Sequence, residues 1–329
     1  GAPSVGVGQC VRITTGAPVP AGADAILIKE NARVDGDAVE VVVAPAPGQH
    51  IRRAGEDVLP GDLLVPAGAV MTPSRVALAA SQGLDRVPVH RRPTVAVFTT
   101  GDELVEPGMP LRHGQVYDSN REQLMGLLRA EGLEPVAWPR LPDEPEAIAN
   151  ALRHAGHAFD VVITVGGVSA GEKDYLPALM QAHGDVLFWK VRMKPGMPVM
   201  LATSQSAMDG TRAGGLGDAL FLSLPGNPVS VLATFLVLAR PVLDALQGRS
   251  ESRPRLRARL AAAWDKRHAR LEFLRGRVAC SDDGLLTVEP NPADGSHRLR
   301  AAADSDVLIV LDEGERHYPA GTPVDVLGY

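Results

Sequence analysis

The stretch "DVVITVGGVSAGEKDYLPAL", residues 160–179, decides how the rest of the chain is read. It opens on an apolar, β-branched run at 160–165 that a glycine pair closes, which is the pattern of a buried strand. Glycines, a serine and a cluster of charges fill 166–174 before a helical pattern resumes near 175–183. A strand that empties through a glycine turn into a helix is the repeating unit of an α/β sheet, and the unit recurs on both sides. Upstream, 94–98 reads as a buried strand, 119–131 as a helix stopped by Gly132, 135–138 as a strand and 144–155 as a helix. Downstream, strands are expected near 199–202 and 219–224, then a long helix over 229–246. This alternation requires right-handed crossovers, so the centre of the chain is expected to be a doubly wound, mostly parallel sheet. The segment "TSQSAMDGTRAGGLGD" (203–218) is expected to be a mobile polar loop.

The flanks have a different texture. Residues 1–62 carry short alternating stretches at 11–13, 25–28 and 38–43, punctuated by Pro and Gly, as a small β-rich domain does. Within 63–92, "TPSRVALAASQG" has Thr72 as N-cap, Pro73 at the first helical position and Gly83 past the end. "RRP" at 91–93 is a joint. Beyond "QGRSESRP" (247–254), Leu256, Ala258 and Leu260 alternate with Arg255, Arg257 and Arg259, and 307–311 is a further strand, which together indicate a C-terminal β domain. The expected domains are therefore 1–62, 63–92, 93–248 and 249–329.

The 329 residues, 45% of them hydrophobic, suffice for more than one core. A formal charge of -6 and a pI near 5.9 argue against a general nucleic-acid binder, and the arginines at 253–277 alternate with apolar residues as strand exteriors do. Cys10 and Cys280 form no C-x-x-C pair, so neither a disulfide framework nor a thiolate metal site is indicated, and a reducing cytoplasm fits best. The longest apolar run, "VSVLATFLVLA" (229–239), ends at Arg240-Pro241, short of the roughly 20 residues a bilayer requires, and reads as a buried helix rather than a membrane span. No charged segment with a cleavable apolar stretch opens the chain. It begins at Gly1 beside a strand-like stretch without an initiator Met, so a longer protein is expected.

In an open α/β sheet, ligands bind beyond the carboxyl ends of the strands, where strand order reverses. Loops of that kind follow the strands here: "TTGDEL" (99–104), "GGVSAGEKD" (166–174) and "PGNPVS" (225–230). Gly166, Gly167, Ser169 and Gly171 let backbone N–H groups converge, and the following helix start adds partial positive charge, so an anion or phosphate is the natural guest. The loop lacks the Lys-Ser/Thr of a P-loop and the G-x-G-x-x-G pattern, and a plain tight turn stays open as the alternative. In "WKVRMKPGMP" (189–198) a strand would put Lys190, Arg192 and Lys194 on one face toward phosphates; a solvated edge strand is the other reading. Asp102, Glu103, Asp118 and Asp174 lie near the same strand ends. Such carboxylates suit Mg²⁺ held by few protein ligands and completed by water and substrate, or else cap helices, as Asp118 is placed to do. His154 and His157, three apart on a helix, have no partner ligand and read as an exposed face.

Taken in order, these segments resemble the molybdopterin molybdenumtransferase (MoeA) family, whose eukaryotic relative is the E domain of gephyrin. "VRITTGAPVPAGADAILIKE" (11–30) and "IRRAGEDVLPGD" (51–62) are similar to its β-rich second domain. "FTTGDELVEPG", "YDSNREQL", "DVVITVGGVSAGEKDY", "WKVRMKPGMP" and "LPGNPVSVLATF" follow its third, and "RLEFLRGRV" (270–278) with "GSHRLRAAADSDVLIVL" (295–311) its fourth. The resemblance covers nearly the whole chain. It implies a MogA-like molybdopterin-binding sheet domain between a β-rich N-terminal domain and a C-terminal β-barrel-like domain, with 63–92 the remnant of an elongated linker domain.

It also implies a reaction: molybdate enters the dithiolene of adenylylated molybdopterin, AMP leaves, and Mg²⁺ is required. By motif position Glu103, Asp143 and Asp174 become functional carboxylates, with Glu103 and Asp174 the metal pair, and Lys190 and Lys194 become phosphate or molybdate partners. Gly166, Gly167, Ser169, Gly171, Asp102, Ser119, Pro225, Gly226 and Pro228 become cofactor-binding positions, joined by Arg270, Arg275 and Ser296 from the fourth domain. Thr15 and Asp57 would act across the interface of a homodimer, and a molybdopterin adenylyltransferase would be the pathway partner. The family's N-terminal segment with its Asp-Gly-Tyr-Ala motif would precede Gly1; "SAMDG" (206–210) mimics part of it, and Met197 stands where many members have Lys. A molybdopterin adenylyltransferase shares the sheet motifs but not 1–62 and 250–329. A gephyrin-type scaffold is the non-enzymatic alternative, against which Lys190, Lys194, Asp174 and Glu103 favour catalysis.

Overall fold

The computed structural model describes residues 4–169, 171, 174–204 and 216–329, so most of the polar loop expected at 203–218, with its "SAMDG", and Glu172 and Lys173 of the 160–179 stretch lie outside the described residues. The chain divides into two units, Gly1–Pro66 and Ala67–Tyr329. In the first, β1 (Ala32–Asp35) and β2 (Ala38–Val41) form an antiparallel hairpin around Gly36. The stretches at 11–13 and 25–28 alternate in sequence but join no ladder. The hairpin shows why: Val34 is 73% exposed and Val41 51%, so alternation in this unit is not buried on a core of its own.

The second unit opens on α1 (Pro73–Ser81), whose N-cap Thr72 accepts a hydrogen bond from the Arg75 N–H through its side chain. Its centre is built from β3 (Val95–Thr99), β4 (Leu104–Val105), β5 (Val116–Tyr117), α2 (Ser119–Ala130), β6 (Val136–Ala137), α3 (Pro145–Ala158), β7 (Val161–Val165), α4 (Tyr175–His183), β8 (Gly184–Trp189), β9 (Met193–Lys194), β10 (Met200–Ser204), β11 (Leu220–Leu224) and α5 (Pro228–Leu246). A six-stranded sheet runs in the order β6-β3-β7-β11-β10-β8. The strands β6, β3, β7 and β11 are mutually parallel, and β10 alone is reversed, antiparallel to both its neighbours. The reversal follows from the connection: no crossover helix separates β8 from β10, and a short link can join only antiparallel neighbours.

Alternation sorts the sheet's side chains to its two faces. Ala96, Phe98, Val162 and Phe221 pack with Leu152 of α3 and Leu176 of α4, whereas Val97, Ile163, Val165 and Leu222 pack with Leu124 of α2 and Val231 of α5. α5 is long and apolar enough to cross a bilayer by length and composition, but 56% of that window is buried against the sheet and the C-terminal domain. Its middle, Phe235–Ala239, widens into a π turn in which the Arg240 N–H bonds to the Phe235 carbonyl. Pro241, one residue on, has no N–H to continue the ladder, and the wide turn absorbs that defect.

The C-terminal domain contains β12 (Leu256–Leu260), β13 (Trp264–Lys266), β14 (Leu271–Cys280), β15 (Leu286–Pro290), α6 (Leu299–Ala303), β16 (Val307–Leu311), β17 (Arg316–Tyr318) and β18 (Pro323–Gly328). The order β15-β12-β18-β16-β14 closes because β14 also pairs with β15, giving a five-stranded barrel filled by Leu260, Leu274, Val288, Ile309 and Val326. Arg255 and Arg257 stay outside it, both paired with Asp325. The strand β9, which comes from the sheet domain, adds to β14 in parallel with Lys194 opposite Glu272.

Candidate active site

The chain passes from β3 outward to β6 and then back past β3 to β7, so strand order reverses between β3 and β7. A cavity of about 310 Å³ opens there, at the carboxyl ends of β3, β7 and β11. Its floor is backbone. The Thr100 N–H donates to the Val165 carbonyl at 3.0 Å and the Gly166 N–H to the Leu224 carbonyl at 3.0 Å, which locks the three strand ends together. Gly166 has φ +92°, and a Cβ there would stand 2.6 Å from Thr100 Oγ1, so the close approach of the two loops requires glycine. Gly167, Ser169, Pro225 and Gly226 complete that wall.

Carboxylates line the cavity as well. Glu103, Asp143 and Asp174 line the cavity, and its described lining includes no basic side chain. Asp174 is the N-cap of α4, yet its side chain does not cap the helix. It turns back and accepts the Gly171 N–H at 2.9 Å. Glu103 folds over Gly101, where an added Cβ would meet its Oε2 at 2.5 Å. Asp118 behaves differently: buried beneath the cavity, it accepts the Arg121 N–H at 3.1 Å and the Thr99 hydroxyl at 2.6 Å, so it is a helix cap. Asp102 points away, paired with Arg140 at 2.9 Å, and is absent from the lining.

Two tethers escaped the sequence reading. Asn120 donates through Nδ2 to the Gly226 carbonyl at 2.6 Å, tying the start of α2 to the loop after β11; its neighbour Ser119 begins the helix and does not line the cavity. Trp189 donates its indole N–H to the Val168 carbonyl at 3.0 Å, holding the glycine loop from behind. Only a polar residue one position into a helix, and a tryptophan at a strand end, signal these roles in the sequence.

The single strand expected across 189–198 does not form. Lys190 takes φ +69°, the Val191 N–H bonds to the Met197 carbonyl, and the outer part leaves the sheet as β9. Lys190 and Lys194 therefore share no face. Lys190 Nζ lies 4.4 Å from the centre of the Trp189 ring. Lys194 lines a second cavity of about 420 Å³ with Glu272, Asp294 and His268, and its Nζ is 3.1 Å from both Glu272 Oε1 and Asp294 Oδ2.

Three family models match the chain in series: the MoeA N-terminal region (domains I and II) over residues 2–83, a probable molybdopterin binding domain over 96–245, and the MoeA C-terminal region (domain IV) over 257–329. The molybdopterin molybdenumtransferase of Haemophilus influenzae is 38% identical over 97% of this chain and 76% of its own length. This chain belongs to the molybdopterin molybdenumtransferase family. Molybdopterin molybdenumtransferase 2 of Mycobacterium tuberculosis is 37% identical over 96% of this chain and 76% of its own length. Among solved structures, the molybdopterin biosynthesis MoeA protein of Pyrococcus horikoshii superposes with a TM-score of 0.76 at 26% identity, covering 99% of this chain and 77% of that one.

The molybdenumtransferase resemblance had drawn further residues together. Pro228 is the first residue of α5, directly after the cavity-lining Pro225 and Gly226. Arg275 is buried, and its guanidinium donates to the carbonyls of Ala293 and Gly295. Burial lowers its pKa from the ordinary guanidinium value. Arg270 donates to the Met193 carbonyl at 3.5 Å, and the Ser296 carbonyl accepts the Val229 N–H at 3.1 Å, so both flank the junction of β9, α5 and the barrel. Thr15 and Asp57 are exposed residues in turns of the first unit.

Proposed function

We infer that this chain is a transferase that inserts molybdenum into molybdopterin during cofactor biosynthesis. The observation that carries the inference is the match along 97% of the chain to a molybdopterin molybdenumtransferase, flanking β domains included. An adenylyltransferase built on the sheet domain alone would have no use for those flanks. In the finer reading molybdate is the metal substrate, the pterin arrives adenylylated, and AMP leaves when the phosphoanhydride breaks.

The sheet-domain cavity suits the phosphates of such a substrate. The N–H groups of Gly166 and Gly171 are taken by the Leu224 carbonyl and the Asp174 carboxylate, so those of Gly167 and Ser169 would orient the phosphate, and the start of α4 adds partial positive charge. The acidic wall would otherwise repel it, and the donor set fits Mg²⁺. Among the described residues the carboxylates of Glu103 and Asp143 accept no hydrogen bond and Asp174 accepts through Oδ2 alone, and carboxylate oxygens with room for phosphate and water are what Mg²⁺ takes. No group of three metal-ligating side chains is assembled among the described residues. Glu103 and Asp174 would hold it, and when bound it neutralises charge on the phosphate oxygens. Asp143 would take a proton or order a water on the same wall. Lys190 and Lys194 are the proposed phosphate or molybdate partners, with Arg270, Arg275 and Ser296 as further molybdate candidates from the C-terminal domain.

Thr15 and Asp57 are proposed to act across the subunit interface of a homodimer. In support, the first unit exposes an apolar strip, with Val34, Val41 and Val43 each more than half accessible, that a second subunit would cover. A molybdopterin adenylyltransferase would supply the substrate. The free, exposed Cys10 and Cys280 favour a reducing cytoplasm.

The test is AMP release from adenylylated molybdopterin with molybdate, with and without Mg²⁺, by the unaltered chain and by Glu103→Gln and Asp174→Asn. Release that needs Mg²⁺ and falls on the order of 100-fold in both variants is expected. Transfer of AMP from ATP to molybdopterin by this chain alone would favour the adenylyltransferase. Full cofactor assembly by Lys194→Ala would favour a scaffold.

A further inference from the structure

Lys194 reaches the second cavity with its ammonium already shared between two carboxylates, and the two are not equivalent. Glu272 is fixed by register, directly opposite Lys194 in the parallel pairing of β9 with β14. Its side chain is only 4% exposed, and its Oε1 also lies 3.1 Å from His268 Nε2. Asp294 is 53% exposed, and among the described residues its carboxylate accepts from no side chain except Lys194. That contact holds the Asp294 carboxyl below its ordinary range.

Lys266, Arg267 and Asp265 line the same cavity, so the lining as a whole is not acidic, but the Lys194 ammonium itself is engaged by two carboxylates. An oxyanion that takes this ammonium must displace one of them. Burial decides which one. Uncovering Glu272 would strand a charge away from water, whereas the Asp294 carboxylate can turn into solvent and be hydrated. The backbone around Asp294 need not move, because Arg275 holds the carbonyls of Ala293 and Gly295, and the Ser296 carbonyl takes the Val229 N–H. A side-chain rotation is enough.

We propose that Asp294 tunes affinity for the oxyanion substrate: it is the exchangeable counter-charge of Lys194, displaced when a tetrahedral oxyanion binds, while the buried Glu272 keeps the ammonium in position. This deepens the proposed function and rests on Lys194 being an oxyanion partner. Asp294 then competes with the substrate, so removing its charge tightens binding.

The experiment measures molybdate affinity of the whole chain by equilibrium titration without the pterin, KM and kcat for molybdate in AMP release, and inhibition by sulfate as a non-reacting oxyanion. Asp294→Asn is expected to lower Kd and KM for molybdate about fivefold, the size of a partly exposed ion pair, with a parallel fall in the sulfate inhibition constant and a larger effect on KM than on kcat. Asp294→Glu, which keeps the charge, returns these values toward the original. Glu272→Gln raises KM for molybdate, and Lys194→Ala raises both Kd and KM. Unchanged or weaker binding by Asp294→Asn, with Lys194→Ala still impaired, overturns the exchange proposal alone. Unchanged binding by Lys194→Ala removes the Lys194 reading and the proposal with it.

Discussion

Replacing Gly166 by alanine tests how the cavity floor is built, and Gly167 beside it is the internal control. At Gly166, φ is +92° and the new Cβ would stand 2.6 Å from Thr100 Oγ1 and 3.1 Å from the Thr100 carbonyl oxygen. The left-handed backbone costs about 1–2 kcal/mol with a side chain present. Relieving the contact costs about 1–3 kcal/mol more as overpacking, because the opposing carbonyl is backbone and cannot swing aside. At Gly167, φ is +65° and the nearest atoms are Thr100 Oγ1 at 3.2 Å and Leu176 Cδ1 at 3.4 Å, so only the backbone cost of about 1–2 kcal/mol applies in full. At about 2–4 °C per kcal/mol for a domain of this size, Gly166→Ala should lower the melting temperature by about 4–20 °C and Gly167→Ala by about 2–8 °C, with the larger fall at Gly166. Differential scanning calorimetry of the two variants beside the parent reads this directly. Equal shifts, or a larger shift for Gly167→Ala, would refute the close apposition of the loops after β3 and β7.

Three further outcomes are expected. Asp174→Asn should cost AMP release on the order of 100-fold yet leave the melting temperature within about 2 °C, since the carboxylate makes no cap bond to α4. Asp160 is held far below the ordinary carboxylate range by the Arg91 guanidinium and by Thr94. A depressed carboxyl contributes stability above its unfolded value of about 4 and loses it as pH falls through the folded one, so Asp160→Asn should flatten the fall in melting temperature below about pH 4 and leave the neutral range unchanged in slope. Arg253 bridges Glu131 and Asp244 between the end of α2 and α5, with about a third of its side chain exposed; Arg253→Ala should cost about 1–2 kcal/mol in urea unfolding, discounted from a fully buried pair for that exposure.

Much of the sheet domain was legible because its signals are local. The runs at 160–165 and 94–98 are apolar, short and closed by glycine, and Thr72 with Pro73 announces a helix start before a contact is known. The reversal of β10 and the departure of β9 from the sheet were not legible. The first depends on the short link from β8 and the second on a positive φ at Lys190 and a ladder to β14 far along the chain, and neither leaves a period in the sequence. Barrel closure likewise depends on β14 pairing with both β16 and β15. At the site, the glycines, Glu103 and Asp174 could be brought together because each follows a strand end, whereas Asp143 was reached only through the family resemblance. Asp118 could not be sorted from them, since capping and ligation use the same residue type at the same place and only burial separates them.

The most direct test of the central claim is the stoichiometry of the reaction. Given adenylylated molybdopterin, molybdate and Mg²⁺, the chain should release AMP in step with molybdenum transferred to the pterin, one for one, and neither should proceed when molybdate is omitted. AMP release that continues without molybdate, or molybdenum transfer that leaves the adenylylated pterin intact, would contradict the account.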